Sequence, residues 1–107
     1  VDEKLIKRAI EIIEQHMDDA EFSVETFSNL LGMNRVSLYH KIKSLTNLSP
    51  REFFTTIRLK RAAQLIKESG LTITEIAYKV GFKDSSHFSK LFKKQFGKTP
   101  KEYLKDA

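Results

Sequence analysis

Cysteine is absent from this 107-residue chain. No disulfide framework, thiolate zinc site or cysteine nucleophile can be built from it, and nothing in its residue types calls for an oxidising compartment. Chain breakers are also scarce, with 4 glycines and 2 prolines, so long regular elements and few loops are expected. No apolar run approaches the roughly 20 residues of a membrane span. The opening residues Val1, Asp2 and Glu3 are acidic where a signal peptide is basic. A soluble, cytoplasmic chain without membrane contact is the expectation. Its length suits one compact domain or two very small ones, and 40% apolar with 31% charged residues is the composition of an ordered domain rather than a tail.

The net charge of +5 is unevenly spread. Residues 1–33 hold three bases against eight acids, a balance of −5, whereas residues 34–107 hold sixteen bases against six acids, a balance of +10. The basic part calls for an anionic partner, and both nucleic acid and an acidic protein surface meet that description.

Apolar spacing and cap residues divide the chain into seven helices and no strand. Leu5, Ile6, Ala9, Ile10, Ile12, Ile13 and Met17 recur at three- and four-residue intervals and predict a helix over 2–17. Ser23 and Gly32 bracket a short helix near 24–31, as N-cap and terminator. A third helix runs from Asn34 to about Leu45, with Leu38, Ile42 and Leu45 on one side. Ser49, Pro50 and Glu52 form a start signal with a capping box, opening a long helix that Gly70 stops. Thr72 and Glu75 open a fifth helix ending at Gly81, Asp84 caps a sixth containing Phe88, Leu91, Phe92 and Phe96, and Thr99, Pro100 and Glu102 repeat the earlier start signal for a seventh.

The chain is internally duplicated. An offset of 49 carries Phe22, Ser23, Val24, Phe27, Ser28, Leu31 and Gly32 onto Leu71, Thr72, Ile73, Ile76, Ala77, Val80 and Gly81. An offset of 50 carries Asn34, Leu38, Ile42, Ser49, Pro50, Glu52, Phe53 and Phe54 onto Asp84, Phe88, Phe92, Thr99, Pro100, Glu102, Tyr103 and Leu104, so one extra residue sits in the second turn. Two copies are too few for a solenoid, and a duplicated functional unit is the better reading. That unit is helix–turn–helix.

In such a unit the second helix enters the major groove of B-DNA while the first crosses the backbone. In the second copy the apolar stripe leaves Ser86, Ser89, Lys90 and Lys93 on the opposed face, with Ser85 and His87 at the helix start. Hydroxyls, imidazole and ammonium groups can hydrogen-bond base edges, lysines neutralise phosphates, and amides near Ser85 and Ser86 are a possible phosphate seat. In the first copy the exposed set is Arg35, Val36, Ser37, Tyr39, His40 and Lys43, of which Arg35 and His40 suit guanine. Plainer roles compete: Lys90, Lys93 and Lys94 as solvated lysines, Tyr39 as a rim to the core, Val36 as a partly packed side chain. His40 and His87 have no partners at metal-ligand spacing, so no metal or cofactor is expected. Asp84, Ser85 and His87 have triad residue types, but their adjacency cannot aim one at another. Capping explains Asp84, the phenylalanines follow the core stripe, and no catalytic residue or enzyme activity is expected.

The segment from Ile73 to Tyr103, ITEIAYKVGFKDSSHFSKLFKKQFGKTPKEY, resembles the C-terminal DNA-binding domain of the AraC/XylS family of bacterial transcription regulators. LLGMNRVSLYHKIKSLTNLSPREFF and IRLKRAAQLI are similar to family sequence too, especially to output domains of hybrid two-component sensor regulators. The resemblance implies an all-α fold of seven helices forming two helix–turn–helix subdomains, 1–48 and 71–107, joined by a long linker helix, 49–70. It implies two recognition helices in successive major-groove segments about 34 Å, or roughly 10 base pairs, apart. The family's base-contacting places fall on Arg35, Val36, Tyr39 and His40, and on Ser85, Ser86, Ser89 and Lys90, where two opening serines depart from the common Arg or Gln. The implied function is sequence-specific binding of promoter DNA, with activation through RNA polymerase, by a domain monomeric in isolation whose full-length parent dimerises. The rival reading is a basic helical module that binds an acidic protein.

Overall fold

The structure is a computed structural model describing residues 2–106; Val1 and Ala107, the outer limits of the two expected subdomains, lie outside the described residues. Among the described residues there are seven helices and no strand. They are α1 (Asp2–Gln15), α2 (Val24–Leu31), α3 (Arg35–Thr46), α4 (Pro50–Glu68), α5 (Ile73–Lys79), α6 (Ser85–Phe96) and α7 (Pro100–Asp106).

The helix boundaries follow from local chemistry. The Ser23 hydroxyl accepts from the Thr26 amide at 3.2 Å, and the Asn34 side chain accepts from the Ser37 amide at 2.8 Å. Reciprocal capping boxes join Ser49 to Glu52, Thr72 to Glu75 and Thr99 to Glu102, each satisfying two otherwise orphaned amides. α1 stops at Gln15, short of the expected 17. α3 reaches Thr46 and is ended by Asn47 in the left-handed region, at φ 62, a conformation asparagine tolerates better than most residues. Leu45, expected on the apolar side of α3, is 36% exposed and so stands outside the buried core.

The chain divides into two compact units, one holding α1 and Glu21–Ile57, the other holding Met17–Ala20 and the chain from Arg58 onward. α4 supplies its first part to one unit and its remainder to the other. In the first unit Ala9, Ile12 and Ile13 of α1, Phe27, Leu38, Ile42, Phe53 and Phe54 are buried. Phe22, Phe27 and Phe54 meet there, with the Phe22 and Phe54 rings edge-on at 5.4 Å, a favoured aromatic geometry.

The second unit is built on Leu59, Ala62, Ala63, Leu65 and Ile66 of α4, Ile76 and Ala77 of α5, and Phe88 and Phe92 of α6, with Met17 packed against them. Arg58 is a buried cation in this unit. Its Nη2 donates to the Asp19 carbonyl at 2.8 Å and its Nη1 to the Gly81 carbonyl at 3.4 Å, tying the segment after α1 to the turn after α5.

Candidate nucleic-acid interface

Each unit contains a short helix, a tight turn and a longer helix: α2 and α3 in the first, α5 and α6 in the second. The turns start in the same way. Gly32 is left-handed, at φ 70, and the Met33 amide donates to the Ser28 carbonyl at 3.0 Å. Gly81 has φ 89, and the Phe82 amide donates to the Ala77 carbonyl at 2.9 Å. These are equivalent helix-ending bonds that redirect the chain after a glycine. The second turn's extra residue is Lys83, which follows Phe82, a buried ring edge-on to Phe88 at 5.3 Å. That extra residue delays the next cap to Asp84, whose Oδ1 accepts from the Ser86 amide at 2.7 Å.

That bond changes one expectation. The Ser86 amide, a possible phosphate seat, is already satisfied by the Asp84 carboxylate, which makes the start of α6 anionic where Asn34 leaves the start of α3 neutral.

On α3, burial of Leu38 and Ile42 turns Arg35, Val36, Ser37, Tyr39, His40 and Lys43 outward, and all six are exposed. Val36 is 67% exposed and Tyr39 45%. The Tyr39 and His40 rings meet edge-on at 5.7 Å. Lys43 Nζ donates to the Asn47 carbonyl at 3.1 Å, placing its charge over the last turn of α3. Lys41, on the same helix, is paired with Asp2 at 2.9 Å. That hydrogen bond and the lysine charge hold the Asp2 carboxyl below its ordinary range.

Three of the α3 candidates face a groove. Its walls are the start of α2 (Ser23, Val24, Glu25), the first half of α3 (Arg35, Val36, Tyr39) and the start of α4 (Ser49, Pro50, Arg51). Ser37, His40 and Lys43 lie outside its lining. Arg51 and Glu25 were absent from the expected site because each sits in a capping stretch whose sequence is already accounted for by helix initiation.

On α6, Phe88 and Phe92 are buried, while Ser86, His87, Lys90 and Lys93 are exposed and Ser85 and Ser89 half-buried. The His87 ring lies 6.0 Å from that of Phe82. Glu102 is held below its ordinary range chiefly by hydrogen bonds from the Thr99 amide and hydroxyl, with the Lys93 charge contributing. No cluster of three or more His, Asp or Glu among the described residues is placed to hold a metal ion. No helix among them is long and apolar enough to cross a membrane.

Two exposed polar helix faces, each following a glycine turn and backed by a buried apolar stripe, define a helix–turn–helix protein. Residues 27–106 match the family described as a helix-turn-helix domain. Histidine kinase P4 of Formosa agariphila is 48% identical over 103 residues, covering 96% of this chain and 8% of that protein. The transcriptional activator RhaS of Enterobacter sp. strain 638 is 34% identical, covering 84% of this chain and 32% of that protein. The chain therefore spans a minor part of both relatives. Among solved structures, the C-terminal domain of the response regulator AraT of Geobacillus stearothermophilus superimposes with TM-score 0.87 at 31% identity, covering 96% of this chain and 85% of that one. The DNA-binding domain of AdpA, solved with a target DNA, gives TM-score 0.83 at 26% identity, covering 98% and 90%. The chain belongs to the AraC/XylS family of helix–turn–helix transcription regulators and corresponds to its C-terminal DNA-binding domain.

Proposed function

We propose that this chain binds double-stranded promoter DNA sequence-specifically, inserting α3 and α6 into successive major-groove segments, as the output domain of a bacterial transcription activator. The observation that carries this reading is the duplicated unit with an outward polar face in each copy: Arg35, Val36, Ser37, Tyr39, His40 and Lys43 on α3, and Ser85, Ser86, His87, Ser89, Lys90 and Lys93 on α6. The AdpA domain's target DNA supports the ligand class, and the activator name of RhaS supports the direction of regulation. The kinase and response-regulator relatives support a two-component context. In this reading the subdomains 1–48 and 71–107 each read one half-site across the helix 49–70, the domain acts as a monomer in the cytoplasm, and its longer parent dimerises and contacts RNA polymerase.

The test is selection of random duplex DNA on the purified chain, followed by titration of the winner and a scrambled duplex at several salt concentrations. Two motifs about one turn, roughly 10 base pairs, apart would support bipartite reading. Equal affinity for winner and scramble would refute sequence-specific binding and favour an acidic protein partner.

A further inference from the structure

The groove of the first unit joins residues of the proposed reading helix to one residue outside it, Arg51. Arg51 is exposed at the second position of α4 and shares the groove with Arg35, Val36 and Tyr39. The capping box commits two amides at this helix start, since the Ser49 amide donates to Glu52 and the Glu52 amide to the Ser49 hydroxyl. The charge that the start of α4 offers an anion in the groove is the Arg51 guanidinium. The acid in the lining, Glu25, belongs to α2, which leaves the α3 and α4 walls as the positive side.

The repeat supplies an independent observation. The offset of 50 carries Arg51 onto Lys101, an exposed base that also stands between proline and the capping-box glutamate. The proposed reading positions diverge between the copies: Arg35 pairs with Ser85, Val36 with Ser86, Tyr39 with Ser89 and His40 with Lys90. Positive charge persists at 51 and 101, as it does at 43 and 93. Divergence suits residues that read different bases, and persistence of charge suits a ligand feature common to every sequence, the backbone phosphate.

We infer that Arg51 is a DNA-positioning residue: lining the same groove as Arg35, Val36 and Tyr39, it holds a backbone phosphate of the half-site that α3 reads. This rests on the DNA-binding reading proposed above. A guanidinium can grip two phosphate oxygens at once, which fixes the register of α3 without carrying sequence information.

The experiment compares the unaltered chain with Arg51→Gln and Arg51→Lys on the selected and scrambled duplexes across a salt series. Arg51→Gln is expected to weaken both duplexes by a similar factor, on the order of tenfold, to lower the salt slope by about one, and to select the same sequence. Arg51→Lys is expected to keep the slope. All three proteins should share one urea midpoint, because the side chain is exposed. Unchanged affinity for Arg51→Gln, a changed selected sequence, or equal losses for Gln and Lys would each overturn the positioning role while leaving DNA binding standing. Failure of the unaltered chain to bind any duplex would instead overturn the DNA-binding reading and this inference with it.

Discussion

Arg35 and Lys93 are both exposed bases, yet their removal is expected to fail in different ways. Arg35 stands in the first turn of α3 on the groove wall, beside Val36 and Tyr39, where a forked donor can take both acceptors of a guanine edge. Arg35→Ala should cost about 1–3 kcal/mol and relax preference at a single base pair. Lys93 stands in the last turn of α6, and its ammonium is a point charge. Lys93→Ala should weaken all duplexes alike and flatten the salt slope by about one. Anisotropy titrations against the selected duplex and its single-base variants separate the two, and uniform losses for Arg35→Ala would remove it as a reader. At this scale the outward sets on α3 and α6 were legible because the buried pairs Leu38 and Ile42, and Phe88 and Phe92, stand four residues apart on one face and leave the other positions outward. Arg58 was not legible: periodicity does not distinguish it from its exposed neighbours Lys60 and Arg61, and its burial depends on carbonyls of Asp19 and Gly81 supplied from distant parts of the chain.

The two glycine turns look equivalent in sequence and differ in their surroundings. A Cβ at Gly32 would meet nothing within 4 Å, whereas one at Gly81 would lie 2.6 Å from Arg58 Cζ and 2.7 Å from the Met17 carbonyl oxygen. Gly32→Ala should therefore cost only the left-handed strain of roughly 1–2 kcal/mol. Gly81→Ala should cost more, since the backbone of Met17 or the buried guanidinium must shift as well; urea unfolding of the two variants tests the order.

The capping boxes carry a pH dependence. Hydrogen bonds from Thr72 hold Glu75 below its ordinary range, and those from Thr99 do the same for Glu102. Both carboxylates thus titrate lower in the folded than in the unfolded chain. Their contribution is fully present above the unfolded value and is lost as pH falls through the folded one. Between neutral pH and about pH 3, the unaltered chain should lose more stability than a Glu75→Gln, Glu102→Gln double variant, whose amide oxygens still accept the cap bonds without titrating; parallel curves would exclude the effect. Helix order and the starts of α2 to α7 were legible because each of these starts has its own cap residues. The end of α1 was not, because Met17 has helical spacing but packs with the second unit's core, a long-range choice that local spacing cannot encode.

At the scale of the whole molecule, the proposed reading, with one recognition helix in each copy of the duplicated unit, carries an expectation about DNA spacing. The duplication was legible from its offsets, whereas the pairing of Arg51 with the α3 face emerged only when three helix segments met around one groove. α4 runs unbroken from Pro50 to Glu68, its first part in one unit and its remainder in the other. In the proposed reading both recognition helices enter one face of the duplex, and their half-sites are then expected in phase with the roughly 10–10.5 base-pair helical repeat. Inserting five base pairs between the half-sites turns the second to the opposite face. Inserting ten restores the face but adds about 34 Å of separation. Both insertions are expected to reduce affinity to that of a duplex carrying the α3 half-site alone, as measured by competition against the uninterrupted site. Full affinity after either insertion would mean that the second unit contributes no fixed contact, leaving α3 to read the sequence and the lysines of α6 to add charge without register.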